Sequence, residues 1–502
     1  MRNFSAACLA AIIASSCSQD SSSKGRFSDT NTSWVSGQQP IPNWQNLDLE
    51  KNGVFGISTE KAYEQLLQNK KAVIITVAVI DSGIDTTQED LKPVLWTNSA
   101  DGSHGRNYIL KETGKEDFIP ALENEKDSVK YWRILADYNL HLTRLQTFMD
   151  QLASSKRVLG KIIKNIGSQM PSLKDFEGYH PRNEAESSII REVLLRLPRY
   201  PDFDHFQFFE VDNLLSLGQF HLKHGLSRAK EATINNGLGA CIPDRFNNDI
   251  SNDPLGLVAD PNFSPEHGTH MSGIIAAVRN NGKGINGVAD HVRIMMLKLD
   301  NNIREMRNDN LAEAIGFAVD HGARIISMSF GKTFSWHRET VDKAVQYAMS
   351  KGVLLVHSAG NDAMNLDAGG HAFFPSPNYQ DGGIAPCWIT VGASGYRDDS
   401  TLAASFSNYG YKTVDVFAPG EQITSTISHG GFGTWDGTSV ATPMVAGLAA
   451  LIMEYHPGLS AIQVKDIIMK SVVKRTSLKD KCVTGGVVNA YNALKLAAGL
   501  NP

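Results

Sequence analysis

A series of short, almost uninterrupted apolar segments constrains the fold of this 502-residue chain more than any other feature. Residues 72–80 are mainly β-branched or otherwise apolar, as are residues 353–356. Such runs are typical of strands that are buried on both faces of a parallel sheet. Further strands are expected at 292–299, 325–331, 388–393 and 414–417, and helices at 58–67, 311–321 and 460–471. The alternation predicts an α/β domain with three layers and a mainly parallel sheet.

One serine stands where a helix is expected to begin. Ser439 follows Gly437, and the apolar run Met444 to Met453 continues as a predicted helix, with Pro443 in its first turn. Unpaired backbone N–H groups and the helix dipole favour negative charge at such a position. This environment suits a nucleophilic serine whose substrate becomes an oxyanion. The alternative is an ordinary serine N-cap of a core helix.

Two other motifs offer the partners that a nucleophilic serine requires, a base and a carboxylate that orients the base. Asp81 ends the apolar run 72–80 and is followed by a serine and a glycine. In open parallel sheets, functional sites form at the carboxyl ends of the strands. His267 opens a predicted helix of small residues.

Four motifs together resemble those of the subtilisin-like serine proteases, the subtilases. They are centred on Asp81, His267, the stretch 358–362 and Ser439, and they follow one another in the family's order. The resemblance extends over about residues 70–100 and 245–500. It implies a subtilisin-like fold, an endopeptidase acting on proteins or peptides, and three catalytic residues plus an oxyanion donor: Asp81, His267, Ser439 and Asn361.

The same resemblance indicates where the substrate lies. Two segments are expected to line the pocket for the side chain that precedes the cleaved bond. They are Ser329, Phe330 and Gly331 on one wall and Ser358, Ala359 and Gly360 on the other. Free backbone groups along such a segment can pair with an extended peptide. Because no acidic residue clearly lies at the base, we expect apolar or aromatic side chains to be preferred.

No organic cofactor is expected, but a structural calcium ion is an option. Asp90 falls where subtilases often supply a calcium ligand, and the loop 280–282 could add further oxygens. Solvated loop acids are the alternative interpretation. His267 and His270 are spaced to chelate a metal, yet only Glu266 lies nearby as a third ligand. We therefore expect His270 to be a packing residue.

A long segment separates the Asp and His motifs. Residues 46–102 and 245–500 are predicted to form the catalytic domain, and residues 103–244 a mostly helical insertion. Helices are expected at 184–197 and 211–230, and a stripe of apolar residues recurs every three or four positions before them. The stripe consists of Tyr131, Leu135, Tyr138, Leu142, Leu145, Met149, Leu152, Leu159, Ile163 and Ile166. It predicts an internal seam of a helical bundle, the alternative being a docking surface.

The first 45 residues indicate export. A positive start, an apolar stretch at 4–13 and small residues before Cys17 are typical of a bacterial lipoprotein signal, with Cys17 as the lipidated residue. Ala14 stands where such signals prefer leucine, and plain secretion with cleavage near Ser16 is the alternative. Residues 18–45 are polar and predict a flexible tether. A membrane-anchored protein of the cell envelope, or a secreted one, is therefore expected.

Composition and cysteine spacing exclude several other classes. A net charge of −5 gives no general affinity for nucleic acid. Cys241, Cys387 and Cys482 allow at most one disulfide, and their spacing does not match a compact metal site. No G-x-S-x-G elbow supports a lipid-ester hydrolase. A serine endopeptidase is predicted, and the alternative is a catalytically silent, lipid-anchored binding protein on a protease fold.

Overall fold

The computed structural model describes residues 43–108, 146, 149–150, 152–168, 170–197, 203–207, 211, 265–299, 308–332, 338–368 and 373–500. The described residues fall into two compact units, one between 146 and 211 and the other comprising 43–108 and 265–500. Several predictions lie outside the described residues: the signal with Cys17, Cys241, the seam from Tyr131 to Leu145, and the helix beyond Val211.

The larger unit is built on a long parallel sheet. Its described strands are β1 (Ile75–Asp81), β2 (Gly105–Asn107), β3 (Val292–Lys298), β4 (Ile325–Met328), β5 (Leu354–Ser358), β6 (Trp388–Ser394), β7 (Val416–Pro419), β8 (Ile423–Thr426), β9 (Phe432–Trp435), β10 (Val473–Lys474) and β11 (Gly486–Val487). Nine of them form one sheet in the order β10-β11-β7-β6-β5-β4-β1-β3-β2, while β8 and β9 form a separate antiparallel pair. Within the nine-stranded sheet all neighbours are parallel except β10 and β11.

Helices connect most of these strands. The described ones are α1 (Leu49–Asn52), α2 (Thr59–Gln65), α3 (152–166), α4 (Leu173–Glu177), α5 (Glu184–Arg196), α6 (Phe203–Gln207), α7 (Glu266–Ala276), α8 (Asn308–Asp320), α9 (Arg338–Ser350), α10 (Thr438–Tyr455), α11 (Ala461–Lys470) and α12 (Ala490–Leu500). Short 3₁₀ helices span Trp44–Asn46, Lys92–Val94, Ser428–Gly430 and Thr476–Leu478.

Alternate side chains of the central strands pack into two separate hydrophobic cores, one on each face of the sheet. Val77 and Val79 of β1 pack with apolar residues of α7, α10, α11 and α12. Ala78 and Ile80 pack on the opposite face with residues of α8 and α9. Because a strand presents successive side chains to opposite faces, an all-apolar strand requires a cover on both sides. The predicted three-layer α/β fold is confirmed.

Two predicted domain limits differ from the structure. The insertion was expected to begin at residue 103, but Gly105–Asn107 forms the edge strand β2 and pairs with β3. The tether was expected to reach residue 45, yet Trp44 is 1% exposed and its Nε1 donates to the carbonyl of Gln422. Both segments are too short and polar to predict from periodicity, because their places depend on partners far along the chain.

The smaller unit is helical and has its own core. Met149, Leu152 and Leu159 of the predicted seam are buried there, together with Phe176 of α4 and Val193 of α5. The described part of the apolar stripe is therefore an internal seam of this unit. The helix α3 continues without a break through Gly160, and a Cβ added at this position would meet open space.

The long helix α10 lies in the centre of the larger unit. By length and composition it is the one helix among the described residues that could cross a membrane, but 89% of it is buried within the fold. It is the core helix on which the catalytic serine was predicted. Cys387 and Cys482 are buried and unbonded to each other, as expected for small apolar residues.

Candidate active site

The carboxyl end of β1 and the first turn of α7 bring an acid and an imidazole into contact. His267 Nδ1 lies 2.7 Å from Asp81 Oδ1, and both side chains are almost completely buried. The backbone N–H of Ser82 also donates to Oδ1 at 2.7 Å. A Cβ on Gly268 would lie 2.0 Å from the carbonyl oxygen of Gly83, so only glycine lets the two segments approach this closely.

Ser439 lies in the first turn of α10 and remains partly exposed. The N-cap is Gly437, at φ 151° and ψ 160°, a conformation that favours glycine. Ser439 is therefore not the cap. Its hydroxyl donates to the carbonyl of Ser329 at 3.1 Å, and the Ser329 hydroxyl donates back to the Ser439 carbonyl at 2.8 Å.

The prediction that Pro443 lies in the first turn of the helix was wrong. The proline is the sixth residue of α10 rather than part of its first turn. A residue at that position would normally donate its N–H to the carbonyl four residues earlier, that of Ser439. Proline has no such group, and the Ser329 hydroxyl takes its place. Ser329, predicted as a pocket residue, is thus tied directly to the helix of Ser439.

Asn361 follows β5 at the same edge of the sheet. Its Oδ1 accepts hydrogen bonds from the backbone N–H and from the hydroxyl of Thr438, both at 2.9 Å. With the oxygen held in this way, the NH₂ of the carboxamide is directed away from Thr438. The loop that carries Asn361 is fastened by Asn408, which donates to Ala359 O and accepts from the N–H of Asp362.

His270 has the packing role that was expected of it. Its ring stacks on Trp435 at 4.0 Å and 7° between planes, and its Nε2 lies 3.0 Å from the carbonyl of Gly433. Burial lowers the pKa of His270 to about 3, so the ring is neutral at physiological pH. Trp435 also lies parallel to His267, 6.0 Å away. Sequence reasoning overlooked Trp435, although it stands four residues before Ser439.

Asp90 lies beneath the loop proposed to help bind calcium. It is fully buried, Asn281 Nδ2 donates to its Oδ1 at 2.5 Å, and Oδ2 has no hydrogen-bond partner within the described part of the chain. Burial raises the pKa of this carboxyl. A buried carboxylate oxygen without a hydrogen-bond donor, on a residue that the loop contacts through Asn281, fits an oxygen-coordinated cation.

A second group of possible ligands consists of Asp290, His291 and Glu454, whose donor atoms lie within 4.8 Å of one another. Glu454 is buried and accepts the His291 backbone N–H at 3.1 Å. Burial, and then the charge of Asp290, raise the pKa of Glu454 well above its usual range. A proton on Glu454 beside the Asp290 carboxylate accounts for this cluster, and we assign no metal to it.

Comparison with known proteins gives a consistent result. The model of the subtilase family of peptidases matches residues 74–491. The thermophilic serine proteinase of Bacillus sp. (strain AK1) is 37% identical over 272 residues, which is 54% of this chain and 62% of that protein. Thermitase of Thermoactinomyces vulgaris is 34% identical over 271 residues, or 54% of this chain and 89% of thermitase.

A third relative matches over a similar span. Subtilisin NAT of Bacillus subtilis subsp. natto is 33% identical over 254 residues, 48% of this chain and 59% of that protein. The chain thus spans less than two thirds of the length of two of these three relatives. The family match, by contrast, includes every residue predicted to be catalytic.

Proposed function

Because the chain belongs to the subtilase family, we propose that it is a serine endopeptidase that hydrolyses peptide bonds of proteins. The observation that carries the proposal is the buried contact between Asp81 and His267 at 2.7 Å, at the end of β1. Ser439 hydrogen-bonds to Ser329, which follows the neighbouring strand β4. The acid, the base and the hydroxyl thus come from three separate stretches of the chain and lie at the carboxyl ends of neighbouring strands.

In this mechanism the Ser439 oxygen attacks the carbonyl carbon of the scissile bond. His267 Nε2 takes the serine proton and later gives it to the leaving amine. Asp81 accepts from Nδ1, which sets the tautomer and stabilises the imidazolium form. The Ser439 hydroxyl donates to Ser329 O in this structure, so it must turn toward Nε2 when substrate binds.

In the proposed mechanism the oxyanion accepts hydrogen bonds from two groups. These are the backbone N–H of Ser439, in the first turn of α10, and the Asn361 NH₂. The two walls expected from the family lie at the ends of the neighbouring strands β4 and β5. Ser329 to Gly331 follow β4, and the other wall begins with Ser358, the last residue of β5. In the proposal, an extended peptide lies across this carboxyl edge of the sheet and pairs with free backbone groups.

Replacing the nucleophile tests the proposal. Ser439→Ala is expected to lower casein hydrolysis by about 10⁴-fold or more and to abolish labelling by a fluorophosphonate probe, because no other group can form the acyl bond. Ser350→Ala, at the exposed end of α9, is the matched control and should behave as wild type. Full labelling of the Ser439→Ala variant would remove Ser439 as the nucleophile.

The alternative, a silent binding protein on the same fold, predicts a different result. Such a protein would bind peptides without turnover, and the wild type itself would not react with the probe. The intact Asp81–His267 contact and the position of Ser439 at the helix start favour the enzyme.

We also propose a structural calcium ion held by Asp90 and by oxygens of the loop 280–284. The support is the buried Oδ2 of Asp90 without a hydrogen-bond donor. The triad chemistry itself needs no metal and no organic cofactor. Thermal unfolding with and without a calcium chelator measures the effect.

A predicted export signal supports a further proposal, that Cys17 carries lipid and holds the enzyme at a membrane of the cell envelope. The apolar stretch 4–13 followed by small residues and Cys17 is its basis. Mass spectrometry of the mature N-terminus distinguishes a diacylglyceryl cysteine from an unmodified terminus near Ser16. An unprocessed Met1 would contradict both forms of export.

A further inference from the structure

An aromatic side chain that sequence reasoning overlooked lies between the two walls of the substrate pocket. The ring of Phe373 is so close to Gly331 that a Cβ there would come within 2.0 Å of its Cε1. A Cβ on Gly360, in the opposite wall, would come within 2.9 Å of its Cε2 and Cζ. The ring therefore contacts the backbone of both walls at once.

Neither wall is free to move away from this ring. The wall of Gly331 is tied to α10 by the reciprocal hydrogen bonds between Ser329 and Ser439. The wall of Gly360 is tied to the same helix turn, because its N–H donates to the Thr438 hydroxyl at 3.1 Å. Both walls are fixed to the helix turn that carries the nucleophile, and this fixes the distance between them. The depth of the pocket between the walls is then determined by the ring of Phe373.

The Phe373 ring is also fixed by the backbone of the next residue and by a neighbouring imidazole. Phe374, the next residue, exchanges two backbone hydrogen bonds with Lys332, at 2.8 and 2.9 Å. Phe373 also packs against the ring of His357 in β5, 5.7 Å away. Burial lowers the pKa of His357 to about 3, so the ring against which Phe373 packs is uncharged at neutral pH.

We propose that Phe373 closes the base of the pocket and restricts cleavage to sites after small residues such as glycine, alanine or serine. A phenylalanine ring occupies the volume that a large substrate side chain would need. This inference rests on the proposed endopeptidase function, and it replaces the aromatic preference expected from the small residues of the two walls. It makes Phe373 a specificity-determining residue that acts by steric exclusion.

The test compares three substrates of the form succinyl-Ala-Ala-Pro-Xaa-p-nitroanilide, with alanine, leucine or phenylalanine at Xaa. For the wild type, kcat/KM is expected to be at least tenfold higher with alanine than with phenylalanine, since even a single methylene group changes discrimination by a pocket about 10- to 200-fold. Phe373→Ala should raise the phenylalanine-to-alanine ratio at least tenfold, and Phe373→Leu should raise it less. The matched control is Phe317→Ala. Phe317 lies on α8 and packs against His321, and its replacement should leave the ratio unchanged.

Two results would overturn the inference. One is a wild type that cleaves after phenylalanine as well as after alanine. The other is an unchanged ratio in a Phe373→Ala variant that is folded by circular dichroism and titrates fully with fluorophosphonate. That titration separates this failure from failure of the proposed function, in which neither enzyme would react with the probe or cleave any of the three substrates.

Discussion

At the scale of single residues, Thr438 decides which way the Asn361 carboxamide points. Its N–H and its hydroxyl both donate to Asn361 Oδ1, and its hydroxyl also accepts from Gly360. An asparagine amide can otherwise turn by 180° with little change in shape. One threonine next to the nucleophile therefore prepares both an oxyanion donor and a pocket wall.

A double-mutant cycle checks this coupling. Asn361→Ala is expected to lower kcat by about 10²–10³ with little change in KM, because the donor acts on the transition state. Thr438→Val removes two hydrogen bonds of the hydroxyl, the one donated to Asn361 and the one accepted from Gly360, and should lower kcat by about tenfold through loss of the first. The double variant should lose little more kcat than Asn361→Ala alone, since Thr438 acts on the oxyanion donor through Asn361, whereas its hydrogen bond from Gly360 belongs to the pocket wall.

Additive losses in the double variant would show that Thr438 contributes independently of Asn361. Thr401→Val, on an exposed turn, is the matched control and should keep wild-type kcat. Each variant needs an active-site titration, so that a lower kcat is not a lower fraction of folded enzyme.

At the scale of elements, the position of α10 depends on close contacts with the loop before β3. Gly447 faces Val288, and an added Cβ would lie 2.7 Å from the Val288 Cβ. Gly316, in the interior of α8, faces open space, and nothing lies within 4 Å of such an atom. Both glycines thus have a helical backbone, and they differ only in what surrounds them.

Opposite effects on stability are expected from the same substitution at these two sites. Gly447→Ala should lower the free energy of unfolding by about 1–3 kcal/mol, because a tightly packed core must shift to accept the methyl group. Gly316→Ala should raise it by about 0.5–1 kcal/mol through higher helix propensity. Urea unfolding of both variants measures the difference, and equal stabilities would contradict close packing at Gly447.

At the scale of the whole molecule, calcium is expected to stabilise the larger unit. Removal of the ion should lower the melting temperature by several degrees, since a ligand at 100 times its Kd contributes about 2.7 kcal/mol. The measurement belongs in the Ser439→Ala variant, in which self-digestion cannot imitate unfolding. Asp90→Asn in the same background should make the melting temperature insensitive to calcium and chelator. A calcium effect of equal size in that variant would place the ion elsewhere.

Much of the fold could be predicted because strand periodicity and length depend on local composition. The expected strand at 353–356 is Leu354–Ser358 in the structure, and the expected helix at 460–471 is Ala461–Lys470. Ser460 caps that helix and forms a capping box with Gln463. Strand ends were less accurate: β1 begins at Ile75, because residues 73 and 74 are exposed.

The sequence by itself determined the layered α/β class, the order of the Asp, His and Ser motifs, and the residues proposed for the triad. The class follows from local hydrophobic patterns, and the triad residues follow from the resemblance of these motifs to those of the subtilases. Only the tertiary structure decided that Phe373 fills the pocket, that Ser329 compensates for Pro443, and that Thr438 orients Asn361. Ser329 and Ser439 are 110 positions apart, and Thr438 and Asn361 are 77 apart. Phe373 contacts two walls that follow different strands. Such contacts depend on how strands and helices pack, so the local sequence pattern does not predict them.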